Sequence, residues 1–180
     1  MNKKKFLSIL SLLILLDQAI KLIINQFFYT DNFKIIGDYI QFQPYLNIKY
    51  SWINSLFNLG ISRILHIIVV VLMIIVISVG YKFIQTVYTL SKVIDYLFLF
   101  VLAGAACSLF DKVFWGGSLD YIMLKGLFIF DLKDVYISVF EILLVIVIIV
   151  NFKRVNKINE KQIFADFKRF IHKEIKSIRN

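Results

Sequence analysis

His66-Ile-Ile-Val-Val-Val-Leu-Met-Ile-Ile-Val-Ile77 contains one polar residue, His66, in a run of aliphatic ones. It lies inside a longer apolar block, Ile61 to about Phe83, long enough for a helix of the ~20 residues that crosses a hydrocarbon core of ~30 Å. Working outward, three more blocks share this character: Phe6 to Phe28, about Val93 to Phe110, and Val135 to Val150, the last only with its flanks. Of the 180 residues, 59% are hydrophobic, against roughly half in a soluble domain. The reading is an all-α membrane protein built as a four-transmembrane-helix bundle. Pro44 is the single proline, and no Pro/Gly/Ser-rich linker or internal repeat divides the chain. One domain is expected over 1–155, followed by a basic tail over 156–180.

The first block follows Lys3, Lys4 and Lys5 as a secretory signal would, but it is too long for an h-region and carries Asp17 and Lys21. It reads as a retained span. The net charge of +9 would suggest nucleic acid in a soluble protein. Here the basic residues flank apolar blocks, so anionic lipid headgroups are the expected partner and nucleic acid is not. Four spans put both termini on one side, with fourteen basic residues, against six on the other. The positive-inside rule then places both termini in the cytoplasm and Asp111, Asp120 and Asp134 at the outer face. Cys107 is the only cysteine, which excludes an internal disulfide.

Between the first two spans, Tyr39-Ile-Gln-Phe-Gln and Tyr45-Leu-Asn-Ile-Lys-Tyr alternate apolar and polar residues. That period predicts short strands, a small extracytoplasmic β-like segment within Tyr29–Gly60, with an irregular aromatic loop as the alternative. In the tail, Ile163, Phe164, Phe167, Phe170, Ile171, Ile175 and Ile178 fall on one helical face opposite lysines and arginines. This predicts an amphipathic helix lying on an anionic leaflet, or one that meets a soluble partner.

Ionisable groups near hydrocarbon cost free energy, so their clustering points to a site. Asp17 and Lys21 are one turn apart and meet on one face. They either brace a polar site or neutralise each other as a pair holding helices in register. Asp111-Lys112 ends the third span, and Gly116-Gly117 turns the chain toward Asp120. Asp134 opens the fourth span, where capping alone would account for a carboxylate. Two carboxylates within ~5 Å can share a proton and act as acid and base together, whereas ~8 Å would argue against it.

Taken in order, Leu16-Asp17-Gln18-x-x-Lys21, then Asp111-Lys-x-x-x-Gly116-x-x-x-Asp120-Tyr, then Phe130-Asp-x-x-Asp134 resemble signal peptidase II, the bacterial intramembrane aspartyl protease of lipoprotein maturation. The resemblance covers Leu16 to about Val150 and includes the four-span topology with both termini inside. It implies Asp120 and Asp134 as the catalytic pair, with Asp17, Lys21, Asp111 and Lys112 in support. Asn54 would match the family's outer-loop asparagine, and Asp131 its last-motif asparagine. The implied substrate is a lipid-modified prolipoprotein, cut before its diacylglyceryl cysteine, at the outer face of a bacterial cell membrane. No metal or other cofactor is called for.

This chain departs from the family pattern at several positions. Ser108 stands where the family has asparagine, Lys112 where it has arginine and Ser118 where it has valine. Asp131 stands for asparagine, Lys133 for alanine, and the Gly-Ala-Ala-Phe that should follow Asn54 is missing. Two alternatives stay open. Asp111 could replace Asp120 as the partner of Asp134. The same residues could also serve a non-catalytic binding protein for lipidated substrates, or a small ion- or proton-conducting bundle.

Overall fold

The computed structural model of the chain describes residues 1–88, 92–152 and 159–179. Backbone placed in hydrocarbon must bond to itself, so the apolar blocks fold as helices. These are α1 (Lys3–Ile23), α3 (Arg63–Val87), α4 (Lys92–Phe110) and α5 (Leu132–Val150), with a short α2 (Trp52–Phe57) between the first two. α1 and α4 each continue through one wider π-helical turn, Ile24–Phe28 and Asp111–Trp115. Among the described residues, three helices are long and apolar enough to cross a membrane: Lys3–Phe28, Arg63–Val87 and Lys92–Trp115. α5 takes up the fourth apolar block over 19 residues. It begins three residues before Val135, because Asp131 caps its first turn and extends it.

The alternating stretches meet in β2 (Ile40–Asn47), as their period predicts, the second being strand only as far as Asn47; β1 (Phe33–Ile36) precedes them in the same outer segment. The sheet is larger than that segment. β3 (Ser118–Leu124) and β4 (Phe128–Phe130) complete an antiparallel sheet in the order β1-β2-β3-β4. These two strands carry apolar residues on both faces after Asp120, so no period of two marks them. The β2–β3 register shifts between Phe42 and Tyr45, around Pro44, which has no N–H to give the ladder. Leu119 and Tyr121 pack with Ile24, tying β3 to the end of the first span.

The helices are held by two apolar clusters. Phe6, Tyr81, Leu99 and Leu102 join α1, α3 and α4. Ala103, Cys107 and Tyr136 join α4 to α5, and the Tyr136 hydroxyl donates to the Leu13 carbonyl at 3.1 Å. Gly104 sets how close α4 and α5 come: a Cβ there would meet Ile137 Cγ1 at 2.7 Å and the Lys133 carbonyl at 3.3 Å. Gly104→Val is therefore expected to push α5 away, costing about 1–3 kcal/mol. Thermal unfolding in detergent measures this, and an unchanged midpoint would refute the close packing.

The tail forms α6 (Glu160–Arg179). Its Phe170 is buried against Phe83 of α3, with ring centroids 5.6 Å apart, and Phe167 meets the same ring edge-on at 5.2 Å. Lys161, Lys168, Arg169, Lys173 and Lys176 are exposed on the other side. The boundary expected between 155 and 156 lies outside the described residues.

Candidate active site

Lys21 is fully buried one turn above Asp17, and its ammonium has three carboxylate partners. It lies 2.9 Å from Asp17 Oδ2, 2.7 Å from Asp111 Oδ2 and 2.7 Å from Asp131 Oδ2. The first-span pair is thus not self-contained: α1 reaches across to the end of α4 and the start of α5. Gln18 supports this contact, its Nε2 donating to Asp111 Oδ1 at 3.2 Å while Oε1 accepts from Trp115 Nε1 at 3.0 Å. The π-helical turn is what sends both Asp111 and Lys112 inward, since each is buried. Lys112 donates to Ser108 Oγ at 2.7 Å.

After the turn, Gly116 adopts a left-handed φ of 68°. A Cβ on Gly117 would lie 2.9 Å from the Asn47 carbonyl, so glycine lets β3 start beside β2. β3 then delivers Ser118 and Asp120, two residues apart and on one face. The Ser118 hydroxyl donates to Asp120 Oδ1 at 2.7 Å, with Asp111 Oδ2 at 3.1 Å. Asn47 Nδ2 reaches the other Asp120 oxygen at 3.4 Å.

The start of α5 supplies the rest. Asp131 Oδ1 accepts from the Asp134 N–H at 3.3 Å, and Asp134 Oδ2 accepts from the Asp131 N–H at 3.2 Å. This reciprocal capping box fixes both carboxylates on the first turn. Capping is therefore real for Asp134, but it leaves that side chain beside Asp120 as well. One carboxyl oxygen each from Asp120, Asp131 and Asp134 lies within 4.8 Å of the others. Three acids at this spacing could hold a cation, and a lysine already supplies it. Lys133 Nζ lies 2.6 Å from Asp131 Oδ2, 3.3 Å from Asp120 Oδ1 and 3.7 Å from Asp134 Oδ2.

Electrostatics set Asp131 apart from Asp120. Burial pushes the Asp120 carboxyl above its ordinary pKa, outweighing the opposing pull of Lys133. Burial acts the same way on Asp131, yet the Lys133 and Lys21 ammonium groups together hold it below the usual carboxylate value. Asp131 is a fixed anion, whereas Asp120 can hold a proton.

Asp120, Lys133 and Asp134 line one end of a cavity of about 830 Å³. Its walls are the apolar faces of α3 (Leu65, Val69, Val70) and α5 (Ile137), so the carboxylates sit at the head of a greasy groove. Asp111 is not among the lining residues and is fully buried, with both its oxygens on Lys21. Asn54 is also buried but stays with its own loop. Its Nδ2 donates to the Lys49 carbonyl at 2.7 Å, and its Oδ1 accepts from the Ile61 N–H at 3.0 Å. It shapes the segment over the groove and bonds to none of the site carboxylates. Arg63 was passed over in the sequence: its Nε and Nη2 take the Lys112 and Val113 carbonyls at 2.5 and 2.7 Å, fastening α3 to the π-helical turn.

Residues 9–150 match the family model described as signal peptidase (SPase) II. The chain belongs to the signal peptidase II family. The function that goes with membership is removal of lipoprotein signal peptides, and the binding-only and conducting alternatives are not favoured. Among curated proteins none matches. Two solved structures, each a bacterial membrane enzyme determined by the in meso method, share the fold. One, at 2.3 Å resolution, is 21% identical with a TM-score of 0.63, covering 88% of this chain and 93% of the other. The second, at 1.9 Å, is 19% identical with a TM-score of 0.67, covering 81% and 93%.

Against the signal peptidase II pattern, three departures of this chain meet at one point. Ser118, Asp131 and Lys133 are bonded to each other through the Lys133 ammonium, which donates to Ser118 Oγ at 2.6 Å. In the sequence Lys133 is only a departure from the family pattern, with no part in the site. Its signal was a lysine placed between two aspartates at the head of an apolar helix.

Proposed function

We propose that the protein is an intramembrane aspartic endopeptidase in which Asp120 and Asp134 are the catalytic pair. The observation that carries this reading is their carboxyl separation, within 4.8 Å at the head of the apolar groove. At that distance a single proton can serve both groups. The ionised aspartate takes a proton from water as the water oxygen attacks the scissile carbonyl carbon. The protonated one donates to the carbonyl oxygen, giving a neutral gem-diol. Proton return to the amide nitrogen then lets the C–N bond break, leaving a carboxyl and a free amine. Asp111 is the weaker partner, because Lys21 and Ser118 already occupy its oxygens.

The substrate is a prolipoprotein whose cysteine carries diacylglycerol, cut just before that cysteine. The groove between α3 and α5 takes the apolar signal peptide, and the sheet lies over its head. Four spans, α5 included, put both termini in the cytoplasm and the carboxylates at the outer face, as the basic residues favour. Residues 1–155 form the peptidase domain. α6, part of the 156–180 tail, rests its basic face on anionic headgroups, with Phe167 and Phe170 anchoring it to Phe83.

The test is purified protein in lipid with a diacylglyceryl-cysteine peptide, the products read by mass spectrometry. Cleavage on the amino side of the lipidated cysteine is expected, and Asp111→Asn is expected to keep more activity than Asp120→Asn at equal folded protein. The reverse order would move the pair to Asp111. A second expectation concerns pH. Because Asp120 holds its proton above the ordinary aspartate value, the proton donor survives into that higher range and is lost as pH rises through it. The alkaline limb of kcat/KM should therefore lie well above ~4, the value of a free aspartate. A limb at that value would count against a buried dyad.

A further inference from the structure

The exchange of the family's asparagine and alanine for Asp131 and Lys133 adds one charge of each sign, and the two new groups are bonded at 2.6 Å. Together with Ser118 they form a set in which each member has its partner. Lys133 donates to Ser118 and to Asp131, and Ser118 donates to Asp120. The ammonium is 7% exposed by residue and lies 3.3 and 3.7 Å from the two proposed catalytic carboxylates. A mere structural ion pair would have no need to sit between them.

We propose that Lys133 is a positioning residue of this site. Clamped by Asp131 and Ser118, its ammonium fixes the Asp120 carboxylate and sets the pH range over which the Asp120–Asp134 pair keeps a shared proton. The proposal rests on the reading of Asp120 and Asp134 as the dyad.

The charges facing the ammonium come from every element packed there. α1 brings Asp17 and Lys21, the π-helical turn brings Asp111 and Lys112, β3 brings Asp120, and the head of α5 brings Asp131 and Asp134. Lys21 is committed to Asp17, Asp111 and Asp131, and Lys112 to Ser108. Lys133 is thus the cation in direct contact with the dyad. A cation beside two carboxylates favours their ionised forms, and an anion favours the protonated ones. Asp131 and Lys133 consequently pull the dyad in opposite directions, and their joint presence leaves its proton nearly where a neutral pair would. This accounts for their arriving together: either one alone would mistune the dyad.

The experiment is the kcat/KM–pH profile of four full-length proteins in lipid: the parent, Lys133→Ala, Asp131→Asn and the double variant Asp131→Asn/Lys133→Ala. Lys133→Ala removes the cation and leaves Asp131, so the alkaline limb is expected to rise by about one unit or more. Asp131→Asn frees Lys133 for the dyad, so its limb is expected to fall. The double variant should return toward the parent, because the two opposite shifts cancel. Limbs that stay put while activity drops by the same factor at every pH would reduce Lys133 to a structural role and overturn the proposal. A double variant whose limb stays as far from the parent as that of either single variant would overturn it as well. Should Lys133→Ala not fold, Lys133→Gln, which keeps most of the length of the side chain without its charge, is read in its place, and its limb must move up. Asp120→Asn run alongside separates the two readings. If it still cleaves, the dyad assignment fails; if it is inactive while the limbs do not move, only the Lys133 proposal fails.

Discussion

Asp134→Asn is expected to abolish signal-peptide cleavage while leaving the protein folded. The amide is isosteric and its oxygen can still accept from the Asp131 N–H, so the capping box that starts α5 survives. The change removes the proton cycle: an amide can neither take a proton from water nor return one to the leaving amine. Acid–base roles are worth about 10²–10⁴-fold each, so a loss of at least ~10³-fold is expected. Asp120→Asn should behave alike, since the Ser118 hydroxyl can bond the new amide oxygen and hold the strand in place. The measurement is the fraction of prolipoprotein processed at matched protein level, with the unfolding midpoint taken in parallel. Processing that persists in Asp134→Asn, with the fold intact, would sink the dyad.

Lys21→Met should have the largest effect on stability. The side chain is fully buried and its ammonium satisfies carboxylates from α1, from the π-helical turn and from the head of α5. Methionine keeps the volume and removes the charge, leaving Asp17, Asp111 and Asp131 facing one another. Removing one partner of a buried ion pair costs about 3–5 kcal/mol, and here three anions lose a shared cation. The expected result is failure to accumulate folded protein, or a midpoint lower by about 6–20 °C. Asp17→Asn should be milder, because Lys21 keeps two carboxylates. A Lys21→Met protein melting within about 2 °C of the parent would show that the cluster protonates instead of straining.

The helices were legible because a membrane leaves the backbone few choices, so aliphatic runs such as His66–Ile77 announce themselves. The strands of Ile40–Asn47 were legible through their alternation. Ser118–Leu124 was not, since Leu119, Tyr121, Ile122 and Met123 are apolar on both faces and only pairing to β2 makes them a strand. For the site, spacing along the chain pointed to Asp17, Lys21, Asp111, Asp120 and Asp134, and the structure gathers the four aspartates around Lys21 and Lys133. Sequence could not show that Lys21 abandons a private pairing with Asp17, because the competing carboxylates come from residues about ninety or more positions away. Nor could it show Lys133 between the acids. One residue before Asp134, a lysine on an ideal helix would be expected to turn elsewhere; here its long side chain reaches back to the Asp131 cap, and it lines the groove with Asp134. Asn54 went the other way: its match was to a motif, and its bonds are to its own loop.

The pairing of β2 with β3 bears on when this protein becomes a protease at all. Tyr45 is the register partner of Asp120, and two membrane-length helices, α3 and α4, lie between them in the chain. A nascent chain that has released only its first span, β1 and β2 can form that hairpin, but the other edge of β2 still lacks β3. The acid on β3 gains its place only after both intervening helices are threaded, and the second acid arrives later still, with α5. On the proposed Asp120–Asp134 pairing, each copy is inert until α5 is in place, so a fragment that stops or misinserts before α5 would carry no loose peptidase activity into the membrane.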